Sequence, residues 1–478
     1  MREVRGDCEN FNPFRVFKYP CFELNGRNAT DVLLESANIA WNYYTEQLYE
    51  SECDPEFIAW TTSYEVEAFV NIYRITNDTT WIDRAVSRAD YIADRSDMNG
   101  DGVPSWGKYN ITHSIERTVW DGMICTALMN LVKIIYEDRK LSMDQNLTSK
   151  AERYLNLTKR VVERYHNCWI QTNVDEGYYP PDPNNKSDTR IIFNQFLALG
   201  SAEILVYEVT GNMSYLEKPL AMAKLFKRHL SFNESLRAYV WPYMVDGRVE
   251  DLDHGAIDVN FVILAHTHGL VFNVTDMHYF VHTFTRLLWR GAWEYPYLNT
   301  HVDGTLHNIN KTLDQRPFHW IKLADFNSLV WFYSWVVLND CAHRKGNVAD
   351  RTALLATTEL FLFLPELRRL AADTIIEALL YLENFPIKDS ETYLEAETHI
   401  NLSIKAYDEG NYEQALCEAI KCIEIIPEFS SWTLLLFTFL APFPLIFSKR
   451  RSKHLQNLCS PEPNIPKENH HSSSVRRH

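Results

Sequence analysis

The chain has 478 residues and a mass of 55.9 kDa, enough for one large domain with an appendage or for two to three small domains. Only 16 Gly and 19 Pro occur, against 46% hydrophobic and 13% aromatic residues, which argues against a Gly/Pro-punctuated all-β fold and against low-complexity disorder. The net charge of −16 argues against a nucleic-acid partner, because phosphate neutralisation needs a basic face.

Residues 1–30 read as an N-terminal extension, in which Cys8 and Cys21 are placed to close a loop in an exported protein. No CxxC occurs among the nine cysteines, which argues against a zinc ribbon or a thioredoxin-type site. From residue 31 to about 385 the apolar residues recur at i, i+3 and i+4. This periodicity predicts helices over 31–49, 60–75, 80–95, 117–137, 148–167, 191–209, 214–231, 255–272, 276–292, 322–338 and 350–383. The helices repeat as pairs. The segment Tyr73–Asp83 matches Tyr207–Glu217, and tight turns recur near 76, 143, 210, 275 and 342. Turns within a pair are short, whereas the connections 96–116, 168–190, 232–254 and 293–321 are long and rich in aromatic and polar residues. Helical hairpins with short turns on one face and long loops on the other predict an all-α toroid whose functional face is the long-loop face.

With this hairpin pitch, and with segments such as Asp97–Trp106 and Glu250–Asp258, residues 31–345 resemble the six-hairpin glycosidase-like superfamily of (α/α)6 toroids. That superfamily includes glycoside hydrolases, polysaccharide lyases and sugar epimerases, and the resemblance implies a carbohydrate-active catalytic domain. A helical stalk is expected over 346–427, and within it Ala396–Leu416 resembles a single tetratricopeptide hairpin. One such unit cannot bury its own apolar face.

The stretch Phe429–Ser448 has no charged residue and is followed at once by Lys449, Arg450, Arg451 and Lys453. It reads as a C-terminal transmembrane helix with a basic cytoplasmic tail over 449–478. The residues leading into it, Ile426–Trp432, resemble the C-terminal anchor of archaeal surface proteins. Eleven N-x-[ST] sequons lie before residue 404 and none after it, so the body is expected to be extracytoplasmic and N-glycosylated. Residues 1–20 show no apolar signal-peptide core, and the exported reading rests on the sequons and the tail charge.

The richest cluster of chemistry-bearing residues is Glu250, Asp251, Asp253, His254 and Asp258, where a long loop enters the helix at 255–272. His254 and Asp258 are four apart and share a helix face, an arrangement suited to acid/base work on a glycan, while helix capping accounts for one or two of the acids. Glu116 is the expected opposing carboxylate, as glycoside hydrolysis requires. Asp253, His254, Asp258 and Glu116 are thus the catalytic candidates. Arg117 is placed to grip a carboxylated sugar, and Asn194 and Gln195 to hydrogen-bond a substrate. Trp60, Trp106, Tyr109, Tyr178, Trp241, Tyr243 and Trp320 are candidate stacking platforms for sugar rings.

Asp97, Asn99 and Asp101 match the first half of a calcium loop, D-x-N-x-D-G, but Lys108 stands where an EF-hand carries its bidentate Glu. A partial structural calcium site is the only cofactor expected. The expected function is cleavage of a polysaccharide or oligosaccharide by a surface glycoside hydrolase. The alternatives are a uronic-acid polysaccharide lyase or C5-epimerase, and a non-catalytic glycan-binding or envelope-structural protein.

Overall fold

The computed structural model describes residues 22–50, 54–97, 100–109, 114–185, 187–290, 296–306, 316–386, 388 and 390–426. The expected transmembrane helix and basic tail lie outside them. The chain divides into two compact units, one up to Leu370 and one from Ala371.

The first unit is built from helices α1 (Ala29–Glu50), α2 (Ser63–Thr76), α3 (Thr80–Ala93), α4 (Thr118–Glu137), α5 (Gln145–His166), α6 (Phe193–Thr210), α7 (Glu217–Arg228), α8 (Leu252–Thr267), α9 (Val274–His282), α10 (Leu329–Lys345) and α11 (Arg351–Leu362). Packing separates them into two shells, and burial follows that division except in the outer helix α10, where Leu329–Asn339 is also buried throughout. Every residue of α4 from Thr118 to Met129 is buried, as is every residue of α6 from Phe193 to Val206. A helix that is apolar all round has to be enclosed by other helices. In α5, by contrast, only Leu147, Ala151, Tyr154, Leu157, Thr158, Val161, Val162 and Tyr165 are buried, which is one stripe of an outer helix.

The inner elements pack in sequence around an axis: α2 on α4, α4 on α6, α6 on α8, α8 on a 3₁₀ turn at Trp320–Asp325, that turn on α11, and α11 back on α2. The closing contact carries a hydrogen bond from Asn71 Nδ2 to Thr358 Oγ1, 3.0 Å. Each inner element except α11 is followed by its outer partner, and α11 is backed by α1. The sixth pair of the ring is therefore made from the first and last helices of the unit. Two glycines allow the inner helices to approach closely. A Cβ on Gly122 would stand 2.4 Å from the Leu199 nitrogen, and one on Gly200 would stand 2.8 Å from the Phe261 ring.

The all-α ring agrees with the sequence reading, and three local expectations are corrected. The stretch 322–338 is not one inner helix. Its start is the inner 3₁₀ turn, and its remainder belongs to α10, an outer helix. The stretch 350–383 is two helices, α11 and α12 (Leu367–Glu383), separated around Pro365. Because α11 completes the ring, the ring extends past the expected boundary at 345. The long loops also carry short antiparallel ribbons that no alternating pattern announced: 107–109 with 114–116, 170–173 with 176–178, 231–233 with 238–240, and 289–290 with 297–298.

In the second unit, α13 (Glu391–Asp408) and α14 (Tyr412–Ile425) form a hairpin that turns at Gly410, where φ is +78°. His399 Nδ1 meets Glu418 Oε2 at 2.6 Å across it. Among the described residues, α4 is long and apolar enough to cross a membrane, and it is an enclosed inner helix of the ring. Nine sequon asparagines fall in the described residues. Asn28, Asn77, Asn146, Asn156, Asn185, Asn212, Asn273 and Asn401 are exposed and Asn233 is half-buried, and none lies on an inner element.

Candidate active site

The N-terminal turns of the inner elements converge on an open cleft of about 1260 Å³. Trp60, Val119, Gln195 and His254 line it, and each lies at or next to the first turn of an inner helix. One layer deeper, Tyr64, Met123, Ala198 and Ile257 surround a small axial cavity. These residues follow the cleft residues by three or four positions, one helical turn, so the cavity lies directly beneath the cleft floor. Trp60 sits in a π turn, Ile58–Thr62, that runs into α2, and such turns often mark functional positions.

The mouth of α8 carries the densest chemistry. Asp251 is its N-cap. Its Oδ1 accepts from the His254 backbone N–H at 2.9 Å, and its Oδ2 meets His254 Nδ1 at 2.7 Å. His254 is held edge-on against Trp60, with ring centroids 5.6 Å apart, and tilted against Tyr243 at 5.4 Å. The His254 hydrogen bonds and charge hold the Asp251 carboxyl below the usual carboxylate range despite its burial. Asp251 in turn raises the imidazole above its ordinary value against the cost of burial.

Asp253 opens into the same cleft and is exposed there. Protein atoms crowding that carboxyl, with the Asp251 charge added, push it up to about 6. Loop 300–305 braces this turn from outside: Leu252 N donates to Thr300 O and Val302 N to Glu250 O, each at 3.0 Å.

Behind the mouth, Glu250 and Asp258 are fully buried close to each other, each acting on the other's titration. Burial raises both carboxyls above the carboxylate range, so the pair keeps a proton. Trp241 Nε1 donates to Asp258 Oδ2 at 2.8 Å and favours charge on Asp258. Glu250, Asp251 and His254 also bring one ligand atom each within 4.8 Å of one another. The direct 2.7 Å contact of Asp251 with His254 fills the space that a metal ion would need between those two.

Of the candidates read from the sequence, the cleft brings together Asp253, His254, Arg117, Gln195 and Trp60, with Tyr243 beside His254. It does not bring Glu116. That side chain is buried against the Arg164 guanidinium, outside the cleft lining, and so cannot oppose Asp253. Asp258 lies behind the wall, not at the mouth. Trp106, Tyr178, Trp241 and Trp320 are buried, with their polar atoms donating to Ile92 O, Thr189 O, Asp258 Oδ2 and Leu252 O respectively. Their polar tips are spent inside the protein, so they are core and not stacking platforms. Asn194 is fully buried, and neither of its amide atoms has a partner among the described residues. The Tyr109 side chain and Asn99 lie outside the described residues. Asp97 Oδ2 and Asp101 Oδ1 accept from the backbone N–H groups of Gly102 and Val103, as in an Asx-type turn.

The sequence reading missed Phe57, Trp120, Arg248, Arg351 and the 300–305 loop, all of which reach the cleft. The signal available was position: Trp120 follows Arg117 within one turn, and Arg248 precedes the 250–258 cluster in the same loop.

No protein-family model matches the chain, and no curated protein matches it. Among solved structures it is similar to the α-1,6-mannanase GH76A of Salegentibacter sp. HEL1_6, with TM-score 0.40 and 12% identity over 64% of this chain and 88% of that one. It is similar also to an inactive double variant of that enzyme in complex with α-1,6-mannotetrose, with TM-score 0.40 and 13% identity over 63% and 86% of the two chains.

Proposed function

We propose that the chain is a glycoside hydrolase working at the α8 mouth of the ring. The observation that carries this reading is the divergence of two neighbouring carboxyls in one open cleft: Asp251 is held ionised, while Asp253 is raised to about 6. Neighbouring titratable groups pushed apart in this way divide the acid and base roles between them.

In this reading Asp253 donates its proton to the departing glycosidic oxygen. Asp251 stays charged and withdraws a proton from the attacking water. One Asp251 oxygen accepts from the His254 backbone N–H and the other meets its ring Nδ1, so His254 fixes the direction of the remaining lone pairs and keeps the carboxyl ionised. Trp60, Phe57 and Trp120 offer apolar ring faces to the C–H faces of sugars along the cleft.

The test is release of reducing ends from a panel of glycans that includes α-1,6-mannan. Asp253→Asn and Asp251→Asn should each lower turnover at least a thousandfold with the fold intact. Unchanged turnover in both variants would contradict the assignment.

We also propose that the body is exported, N-glycosylated and tethered through 429–448. The exposure of eight of the nine described sequon asparagines supports this reading. Enzymatic removal of N-glycans from protein made in its own host should lower its mass, and an unchanged mass would contradict the proposal.

A further inference from the structure

The charges lining the cleft are unequally satisfied. Asp54 and Glu56 both pair with Lys108 Nζ, at 3.2 and 3.0 Å. Asp251 is held by His254, and Asp303 Oδ1 accepts from Thr305 N and Oγ1 at 2.9 and 2.6 Å. Arg351 donates to Thr61 Oγ1 at 2.6 Å. Apart from Asp253, the acids of the lining thus already hold a donor.

Arg117 and Arg248 differ. Both line the cleft, and among the described residues neither guanidinium makes a hydrogen bond or an ion pair. Arg117 feels Asp182 and Asp188 at longer range, and Asp188 is already taken by Arg190 at 2.6 Å. Arg248 lies over the Tyr243 ring, 5.1 Å from its centroid, with Asp251 as the nearby charge.

The two arginines belong to one continuous wall. Gln195 accepts from Val119 N at 3.2 Å, two residues from Arg117, and its amide is near enough to the Tyr243 hydroxyl, beneath Arg248, to favour that group's charged form. Tyr243 in turn packs on His254. The order along the wall is therefore Arg117, Gln195, Tyr243 with Arg248, then His254 and the acids. A guanidinium presents a planar fork of donors that matches the two oxygens of a carboxylate, sulfate or phosphate. Two such forks on either side of an amide, beside the reacting groups, are poorly matched to a wholly neutral sugar chain.

We infer that the wall formed by Arg117, Gln195 and Arg248 is a subsite for an oxyanion-bearing sugar, so that the substrate is an acidic glycan carrying carboxylate, sulfate or phosphate groups. This inference rests on the hydrolase reading for its location next to the bond that breaks. The wall holds the charged group and thereby sets which linkage reaches Asp253.

The test is titration calorimetry on the full chain carrying Asp253→Asn, which leaves a bound glycan uncleaved. The probes are a neutral oligosaccharide and oligosaccharides bearing uronate, sulfate or phosphate groups. At least one acidic series should bind ten times more tightly than the neutral one, and the series that does so names the oxyanion. That preference should weaken as salt rises. It should fall about tenfold on adding Arg248→Gln or Arg117→Gln, and recover in part with Lys at the same position, with thermal unfolding confirming that each variant is folded. Equal or tighter binding of the neutral oligosaccharide overturns the inference, as does an acidic preference that both Gln variants leave intact. Turnover by the unaltered chain separates the two readings. Acidic glycans bound at the wall but never cleaved remove the hydrolase and keep the subsite, whereas cleavage confined to neutral glycans does the reverse.

Discussion

Asp251 and Asp253 stand two residues apart at the mouth of one helix, and the fold treats them oppositely. Asp251 receives two hydrogen bonds from His254 and is held below the usual carboxylate range, while Asp253 is pushed up to about 6 by crowding protein atoms and by the Asp251 charge. An acid of that strength works only while protonated. Activity should therefore fall as pH rises through about 6, and the acid-side limb should lie below the ordinary carboxylate range, where Asp251 gains a proton. Replacing His254 with Gln removes the ring contact that lowers the Asp251 carboxyl and should move the acid-side limb upward. A pH–kcat/KM profile measures both limbs.

Glu116 has a structural place instead. It is buried against Arg164, which also donates to Asn184 Oδ1 at 3.0 Å. Glu116→Gln should cost on the order of 3 kcal/mol in stability, because it leaves a mostly buried guanidinium without its charge partner. Turnover at a permissive temperature should stay near that of the unaltered chain. Denaturant unfolding alongside kinetics checks this, and a lost turnover with unchanged stability would return Glu116 to the chemistry.

Gly122→Ala offers a test of the inner ring. In an exposed helix this change stabilises by about 1 kcal/mol. Here the added methyl would meet the α6 backbone at Leu199, 2.4 Å away. Overpacking of this kind costs about 1–3 kcal/mol, so the unfolding midpoint should fall.

Stability should also depend on pH in an uncommon direction. Burial raises Glu65 and Asp121 each to about 7, with Arg88 only partly offsetting this for Glu65. An unfolded carboxyl titrates near 4, so between about 4 and 7 the folded state binds more protons than the unfolded chain. The stability from these two groups is complete below about 4 and is lost as pH rises through 7. The melting temperature should therefore fall by several degrees between pH 5 and 8. A rise over that interval would contradict the upward shift of these two buried acids.

The ring was legible in the sequence because its helices are long and periodic and its hairpins recur at one pitch. Its closure was not. The sixth pair joins α1 to α11, and periodicity reports helices without saying which distant ones meet. The cluster at 250–258 was legible as a site because a long loop enters an inner helix there. The division of labour within it was hidden, since Asp253 and Asp258 are alike in sequence and differ only in depth: Asp253 opens to the cleft, and Asp258 is sealed behind Trp241. Glu116 was misplaced for the same reason. Its neighbour Arg117 faces the cleft while Glu116 points the other way, as alternate residues of the short 114–116 strand and its continuation do. The aromatic count was read correctly as a large core, and the assignment of Trp106, Trp241 and Trp320 to the mouth failed because a buried indole with a satisfied N–H looks identical in sequence to an exposed one.

The most direct measurement of the central claim is the rate of glycosidic-bond cleavage by Asp253→Asn, compared with the unaltered chain on one glycan that the latter degrades. Circular dichroism and glycan binding would be recorded on the same samples. The account predicts an intact fold, retained binding and a rate at least a thousandfold lower, with the loss smallest for substrates whose leaving group needs no proton. A folded Asp253→Asn protein that cleaves the glycan at the original rate would contradict it.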